Sequence, residues 1–172
     1  MLLRDVELGD VPTYVRMRCD PVMMAELGGP LPREGIEAKV AADVAQCARD
    51  ACWVSMIVPD EDRPEAVAGT VTLWRHEPED GEAGDGPDGL VSEIGWMVLP
   101  EFQGRGIGSG AVALVLERAR ADGRWGLVHA YPGLGNAGSN GICRKLGFTL
   151  LGEQDVEFAG RVLRTCHWTV RT

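Results

Sequence analysis

The chain has no run of about 18 apolar residues, which excludes a hydrophobic helix long enough to span a bilayer. No secretory leader is expected either, because the opening Met1-Leu2-Leu3-Arg4-Asp5 turns charged at once. A soluble, cytoplasmic protein without membrane association is expected. There is no Cys-x-x-Cys pair. Cys19, Cys47, Cys52, Cys143 and Cys166 are dispersed and odd in number, which argues against a zinc site and a closed disulfide framework, so reduced thiols and no bound metal are expected. Basic residues are outnumbered: 17 Lys and Arg face 26 Asp and Glu, and the formal charge of −9 makes nucleic acid a poor partner and a cationic one a better match. No internal repeat is present. At 172 residues and 45% hydrophobic content, one domain over 1–172 is the simplest reading.

The elements follow from periodicity and turn residues. A first strand is expected over 2–7, helix and turn over 11–27, and a helix over 33–51 whose alanines and valines recur at helical spacing. Residues 52–58 and 66–75 read as an antiparallel pair joined by a polar turn at 59–65. The segment 76–89 carries Glu77, Glu79, Asp80, Glu82, Asp85 and Asp88 among glycines and two prolines, and reads as a flexible acidic surface loop. Its spacing is not that of a calcium loop, since Gly84 falls at the fifth position counted from Asp80. A strand over 90–99, a helix, a strand over 126–131, a short helix over 139–146 and strands near 149–153 and 162–170 complete a mixed α/β sheet.

The most informative stretch is Gln103-Gly104-Arg105-Gly106-Ile107-Gly108-Ser109-Gly110, placed between an apolar strand and an amphipathic helix whose Ile107, Ala111, Leu114, Val115 and Ala119 share one face. Glycines at 104, 106, 108 and 110 remove Cβ atoms that would keep a bound group from the main chain, and a helix start offers unpaired N–H groups and a positive dipole end. An anion such as a phosphate suits this turn. A nucleotide-triphosphate loop would need Gly-Lys-Ser/Thr, which is missing. A dinucleotide fingerprint would need an acid closing the next strand, where Tyr131-Pro132-Gly133 stands instead.

Gln103-x-x-Gly106-x-Gly108 resembles the Gln/Arg-x-x-Gly-x-Gly/Ala motif of the GNAT N-acetyltransferase superfamily. Downstream, Asn136 and Ser139 followed by Lys145-Leu146-Gly147-Phe148 resemble its second block. Leu3-Arg4-Asp5, Asp20-Pro21-Val22-Met23, Leu27-Gly28 and Glu93-Ile94-Gly95-Trp96 are similar to the branch of ribosomal-protein N-terminal and small-amine acetyltransferases. The resemblance implies a single-domain α/β fold with a mixed, mostly antiparallel central sheet flanked by helices. It also implies transfer of an acetyl group from acetyl-CoA, as co-substrate, to a small-molecule amine or a protein N-terminal amine by direct attack in a ternary complex. A non-catalytic acyl-CoA-binding module on the same fold is the alternative, and a homodimer is compatible with the chain.

Transfer needs a base, an oxyanion donor and a proton for the departing thiolate. The resemblance points to Glu93 as base, with His129 as competitor. It points to main-chain groups of Met97 and Val98 for pantetheine and oxyanion, and to Gln103, Gly104, Arg105, Gly106, Ile107, Gly108, Ser109, Asn136 and Ser139 for the cofactor, with Ser139 also able to cap the short helix. Arg144 and Lys145 are further cations for the phosphates. Where many relatives carry an acidic tyrosine this chain has Cys143, so the acid is Cys143, Tyr131 or water, and Cys143 can equally be a packing residue. Trp53, Trp74, Trp96 and Trp168 read as core or pocket walls.

Overall fold

The computed structural model describes residues 1–78, 88–158 and 160–172. Seven strands form one sheet in the order β1-β2-β3-β4-β5-β7-β6. They are β1 (Leu2–Asp5), β2 (Cys52–Val58), β3 (Gly69–His76), β4 (Val91–Val98), β5 (Leu127–Ala130), β6 (Thr149–Phe158) and β7 (Arg161–Arg171). Every pairing is antiparallel except β4 with β5, which are joined through α3 (Ile107–Asp122). The other helices are α1 (Val11–Arg18), α2 (Ile36–Ala48) and α4 (Ala137–Lys145).

The sheet is covered on both faces, and the strand sequences show why. All seven residues of β2 are buried, the unbroken apolar run expected of a strand with helices above and below. Trp53 and Ile57 point to one side, into a core with Val71, Leu73, Ile94, Val112, Val115, Leu116, Trp125, Val128 and Trp168 under α3 and α4. Val54 and Met56 point to the other, against Tyr14, Met17, Ile36 and Val40 of α1 and α2. Each large side chain so enclosed contributes about 1.5–3 kcal/mol. On that second face a polar group is carried inward with its partners: Tyr14 donates to Asp43 at 2.8 Å, and Lys39 reaches the other oxygen of Asp43.

The elements differ from expectation at identifiable places. Helix α1 stops at Arg18 because Asp20 Oδ1 accepts the N–H groups of Val22 and Met23, both at 2.9 Å, which turns the chain. Helix α2 starts only after Gly35, whose φ of +94° interrupts the helical path. On α3 the buried stripe is Gly108, Ala111, Val112, Val115, Leu116 and Ala119, while Leu114 is an exposed position off that stripe. The β6–β7 hairpin is longer than the expected strands because the outer strand alternates half-buried and exposed polar residues, a weak strand signal at a sheet edge. Of the acidic segment, residues 79–87 lie outside the described residues, and at its end Asp88 pairs with Arg75 at 2.5 Å. No described helix is long and apolar enough to cross a membrane.

Candidate active site

Strands β4 and β5 touch only briefly. Among the described residues their ladder consists of Ser92 opposite Val128 and Glu93 opposite His129, after which β4 runs on to Val98 without β5 beside it. Antiparallel alternation decides which main-chain groups this leaves open. Leu99 N–H donates to Ala68 O at 2.8 Å, and the Met97 carbonyl lies so close to β3 that a Cβ on Gly69 would be 1.9 Å from it. Met97 therefore spends its main chain on β3, contrary to the expectation that it binds cofactor. The groups turned toward the cleft are those of Trp96 and Val98. The Val98 carbonyl accepts Gln103 Nε2 at 2.8 Å, which ties the loop after β4 to the strand end. Gln103 is thus a brace of the turn through its side chain.

Past that brace the chain enters the glycine turn. Gly104 and Gly106 have φ of +71° and +77°, the left-handed region, and a Cβ at Gly104 would meet open space. Gly106 directly precedes α3, so the first N–H groups of that helix, from Ile107, Gly108 and Ser109 onward, emerge at an exposed turn. The cations follow the same logic. Lys145 Nζ donates to Ser109 Oγ at 3.0 Å, and that hydroxyl in turn donates to Gly106 O at 3.0 Å. Arg105 is exposed within the turn itself. Arg144 lies instead 5.5 Å over the Trp168 ring. Two glycines serve a different end from the one expected: a Cβ at Gly108 would meet Ile142 Cδ1 at 3.1 Å and Val98 Cγ2 at 3.2 Å, and one at Gly110 would meet Met1 Cε at 2.9 Å. They let α3 approach its neighbours rather than admit a ligand. Arg105→Glu is expected to keep the fold and weaken acetyl-CoA binding by about tenfold or more, since a hydrogen bond to a charged group is worth about 1.5–3 kcal/mol. Calorimetry at two salt concentrations checks this, because the wild-type advantage shrinks as salt screens the exposed charge.

Across the cleft, Asn136 caps α4 by accepting Ser139 N–H at 2.9 Å, so the helix begins two residues earlier than expected and Ser139 is not its cap. Ser139 Oγ accepts Trp96 Nε1 at 3.2 Å, a bridge from α4 to the open edge of β4. One turn along, Asn140 is buried and fully used: its amide donates to Gly133 O at 3.0 Å and Asn136 O at 2.8 Å, and its carbonyl accepts Trp168 Nε1 at 2.9 Å. Sequence reasoning missed Asn140, although it lies within the motif that drew attention to its neighbours.

On the α1/α2 face of the sheet, at the point where β4 and β5 part, polar groups form a row. Glu93 is half-buried, with His76 Nε2 3.5 Å from its Oε2. Trp74, its partner across to β3, lies against Gly95, where a Cβ would sit 3.4 Å from the indole. On the other side His129 is its partner in β5. His129 Nδ1 is 2.8 Å from His167 Nε2 and 3.2 Å from the Tyr131 hydroxyl. The three histidines of the chain thus lie along one row with Glu93, His76 and His129 on either side of the carboxylate and His167 beyond His129. His167 was not singled out from the sequence; only the β5–β7 register, which sets Ala130 opposite Trp168, brings it next to Tyr131.

The profile of the family described as Acetyltransferase (GNAT) domain matches residues 1–149. The chain belongs to the GNAT acetyltransferases. No curated protein sequence matches it significantly. Among solved structures, it is similar to an acetyltransferase from Salmonella typhimurium that modifies the N-terminal serine of ribosomal protein L7/L12, with 18% identity, 99% of this chain and 94% of that one covered, and a TM-score of 0.76. A ribosomal-protein-alanine N-acetyltransferase from Brucella melitensis gives 21% identity, full coverage of both chains and a TM-score of 0.72. A RimL ribosomal L7/L12 α-N-acetyltransferase, solved with coenzyme A in disulfide linkage to one of its cysteines, gives 17% identity, 98% and 92% coverage and a TM-score of 0.75. The seven-stranded mixed sheet flanked by four helices is the fold of these GNAT proteins.

Within this GNAT domain Cys143 is fully enclosed in the core under α4, and burial pushes its thiol from an ordinary value near 9 up to about 12. A thiol sealed from the cleft and reluctant to ionise suits packing, and the geometry weighs against its use as proton donor or nucleophile. Cys143→Ala is expected to keep turnover within about threefold, and native Cys143 to resist alkylation until the chain unfolds. The raised pKa also sets a direction for stability. The protonated thiol is favoured by folding, so its contribution is complete below about 9 and is lost as pH rises toward about 12. Thermal midpoints measured across that range are expected to fall less steeply for Cys143→Ala.

Proposed function

We propose that this protein transfers an acetyl group from acetyl-CoA to a primary amine by direct attack in a ternary complex. The observation that supports it best is the open β4 edge, with Trp96 and Val98 main-chain groups turned toward the cleft, ending in a helix-terminal glycine turn. An extended pantetheine arm can lie along such an edge as an added strand, and the turn can receive its phosphates. Lys145, Arg105 and the amides of Gly106, Ile107, Gly108 and Ser109 are the groups for those phosphates. Asn136 and Ser139 stand on the far wall for the pantetheine. The Val98 N–H is the donor for the oxyanion. Glu93, at the apex where the strands part, removes a proton from the acceptor ammonium directly or through water, because only the free amine can attack a thioester. The thiolate leaves into water, Cys143 being enclosed.

The acceptor class to test first is the α-amine of a protein N-terminus, in keeping with the substrates named for the structural neighbours. The net charge of −9 favours a cationic acceptor. A cytoplasmic location belongs to the same reading, since all five cysteines are free thiols, as in a reducing compartment. The test is release of free CoA thiol from acetyl-CoA in the presence of N-terminal peptides and small amines, with mass spectrometry of the acceptor. Acetyl-CoA binding without acetylation of any peptide or amine would favour a non-catalytic acyl-CoA module, the reading that the enclosed Cys143 in place of a tyrosine keeps open.

A further inference from the structure

We propose that the His129–His167 pair, with Tyr131, is a second proton acceptor beside Glu93, and that it takes the second proton which acetyl transfer must strip from the acceptor nitrogen. The proposal rests on the transfer reading above. An ammonium carries three protons and the product amide keeps one, so two must leave. Loss of the first lets the nitrogen lone pair form the C–N bond while the carbonyl π pair moves onto oxygen. Loss of the second accompanies collapse, when that pair re-forms the carbonyl and the C–S bond breaks with its electrons on sulfur. The thiolate takes up one proton, and the balance is one proton released to solvent. A single carboxylate holds one proton at a time.

The neighbouring pair has the chemistry for the other. Two imidazole nitrogens 2.8 Å apart, His129 Nδ1 and His167 Nε2, share one hydrogen, one ring donating and the other accepting. A proton added at the outer nitrogen of the donating ring leaves an imidazolium that donates a charge-assisted hydrogen bond to its partner, and the Tyr131 hydroxyl lies beside that contact, 3.2 Å from Nδ1. The rings are stacked with centroids 5.0 Å apart, and Tyr131 lies 4.7 Å from His167. His129 is the β5 partner of Glu93, so the two side chains stand on one face about one strand spacing, roughly 5 Å, apart. Among the described residues, the groups beside the pair include Glu93 from β4 with His76 from β3 beyond it, Tyr131 from β5 and Thr169 from β7. From β6 the residues opposite His167 and Thr165 are the uncharged Gly152 and Gln154.

The test is the pH dependence of kcat for wild type and His167→Gln, His167 being the half-buried member whose replacement spares the core. His167→Gln is expected to lower kcat by about tenfold near neutrality and to recover as pH rises, when solvent accepts the proton, with acetyl-CoA affinity unchanged; added imidazole restores part of the loss. A profile within about twofold of wild type at every pH, or lowered by one constant factor throughout, overturns the proposal. Imidazole ¹⁵N titration of the wild-type protein tests it without substitution: the two rings are expected to titrate as one coupled pair, and independent titration overturns it. A wild-type chain that acetylates no amine overturns the transfer reading and this proposal with it. Turnover with an unaltered His167→Gln profile overturns the proton pair alone.

Discussion

Glu93→Gln is expected to lower kcat by about a hundredfold to ten-thousandfold at neutral pH while acetyl-CoA binds as before. The substitution keeps the size of the side chain and removes its charge and with it its capacity to take a proton. Glu93 lies outside the glycine turn and the α4 wall, so the proposed cofactor contacts stay in place. The expectation is sharpened by position. Glu93 and His129 are the last paired residues before β4 and β5 diverge, so the carboxylate stands at the apex of the cleft, with Trp74 and His76 on one side and the histidine pair on the other. Steady-state release of CoA thiol, paired with calorimetry on the same preparation, reads both quantities. A loss below about tenfold would move the first proton to the histidine pair or to solvent.

Asn140→Leu is expected to lower the free energy of unfolding by about 3 kcal/mol, because it removes three hydrogen bonds worth about 0.5–1.5 kcal/mol each and leaves the enclosed Trp168 Nε1 without an acceptor, while the Gly133 and Asn136 carbonyls keep the backbone N–H groups of Asn136 and Asn140. Trp168 Nε1 loses its acceptor, and the carbonyls of Gly133 and Asn136 lose a donor. These three groups belong to β7, the β5–α4 turn and the start of α4, so the same side chain that stabilises the fold also fixes the wall carrying Asn136 and Ser139. Urea unfolding measures the first effect, and weaker acetyl-CoA binding by the folded fraction reports the second. A change under about 1 kcal/mol would mean that the turn and Trp168 find other partners.

The glycine turn proposed for the cofactor was legible from sequence because its geometry is written in consecutive residues. Gly104 and Gly106 take the left-handed conformations that only glycine adopts freely, and the helix they introduce begins at Ile107. What spacing could not show is which neighbour each glycine faces. Gly108 belongs to the same motif, yet it answers to Val98 and Ile142, residues brought there by the sheet and by α4. Met97 and Val98 are adjacent in sequence and opposite in hydrogen bonding, a difference that appears only once the β3–β4 register is fixed. The side proposed for the acceptor was legible only as isolated residues. Glu93, His129 and His167 come from three strands, and the order β4-β5-β7 places them side by side although 74 positions separate the first from the last. Cys143 shows the reverse limit, since its place in the motif suggested chemistry and its burial points to packing.

The central claim is that the cleft between β4 and β5 is built for an acyl-CoA thioester. Calorimetric titration of the wild-type protein with acetyl-CoA, beside Arg105→Glu, tests it most directly. The account predicts one site per chain with micromolar affinity, weakened in the variant. A folded wild-type protein that gives no binding heat at several temperatures, or a variant that binds equally well at low salt, would contradict it.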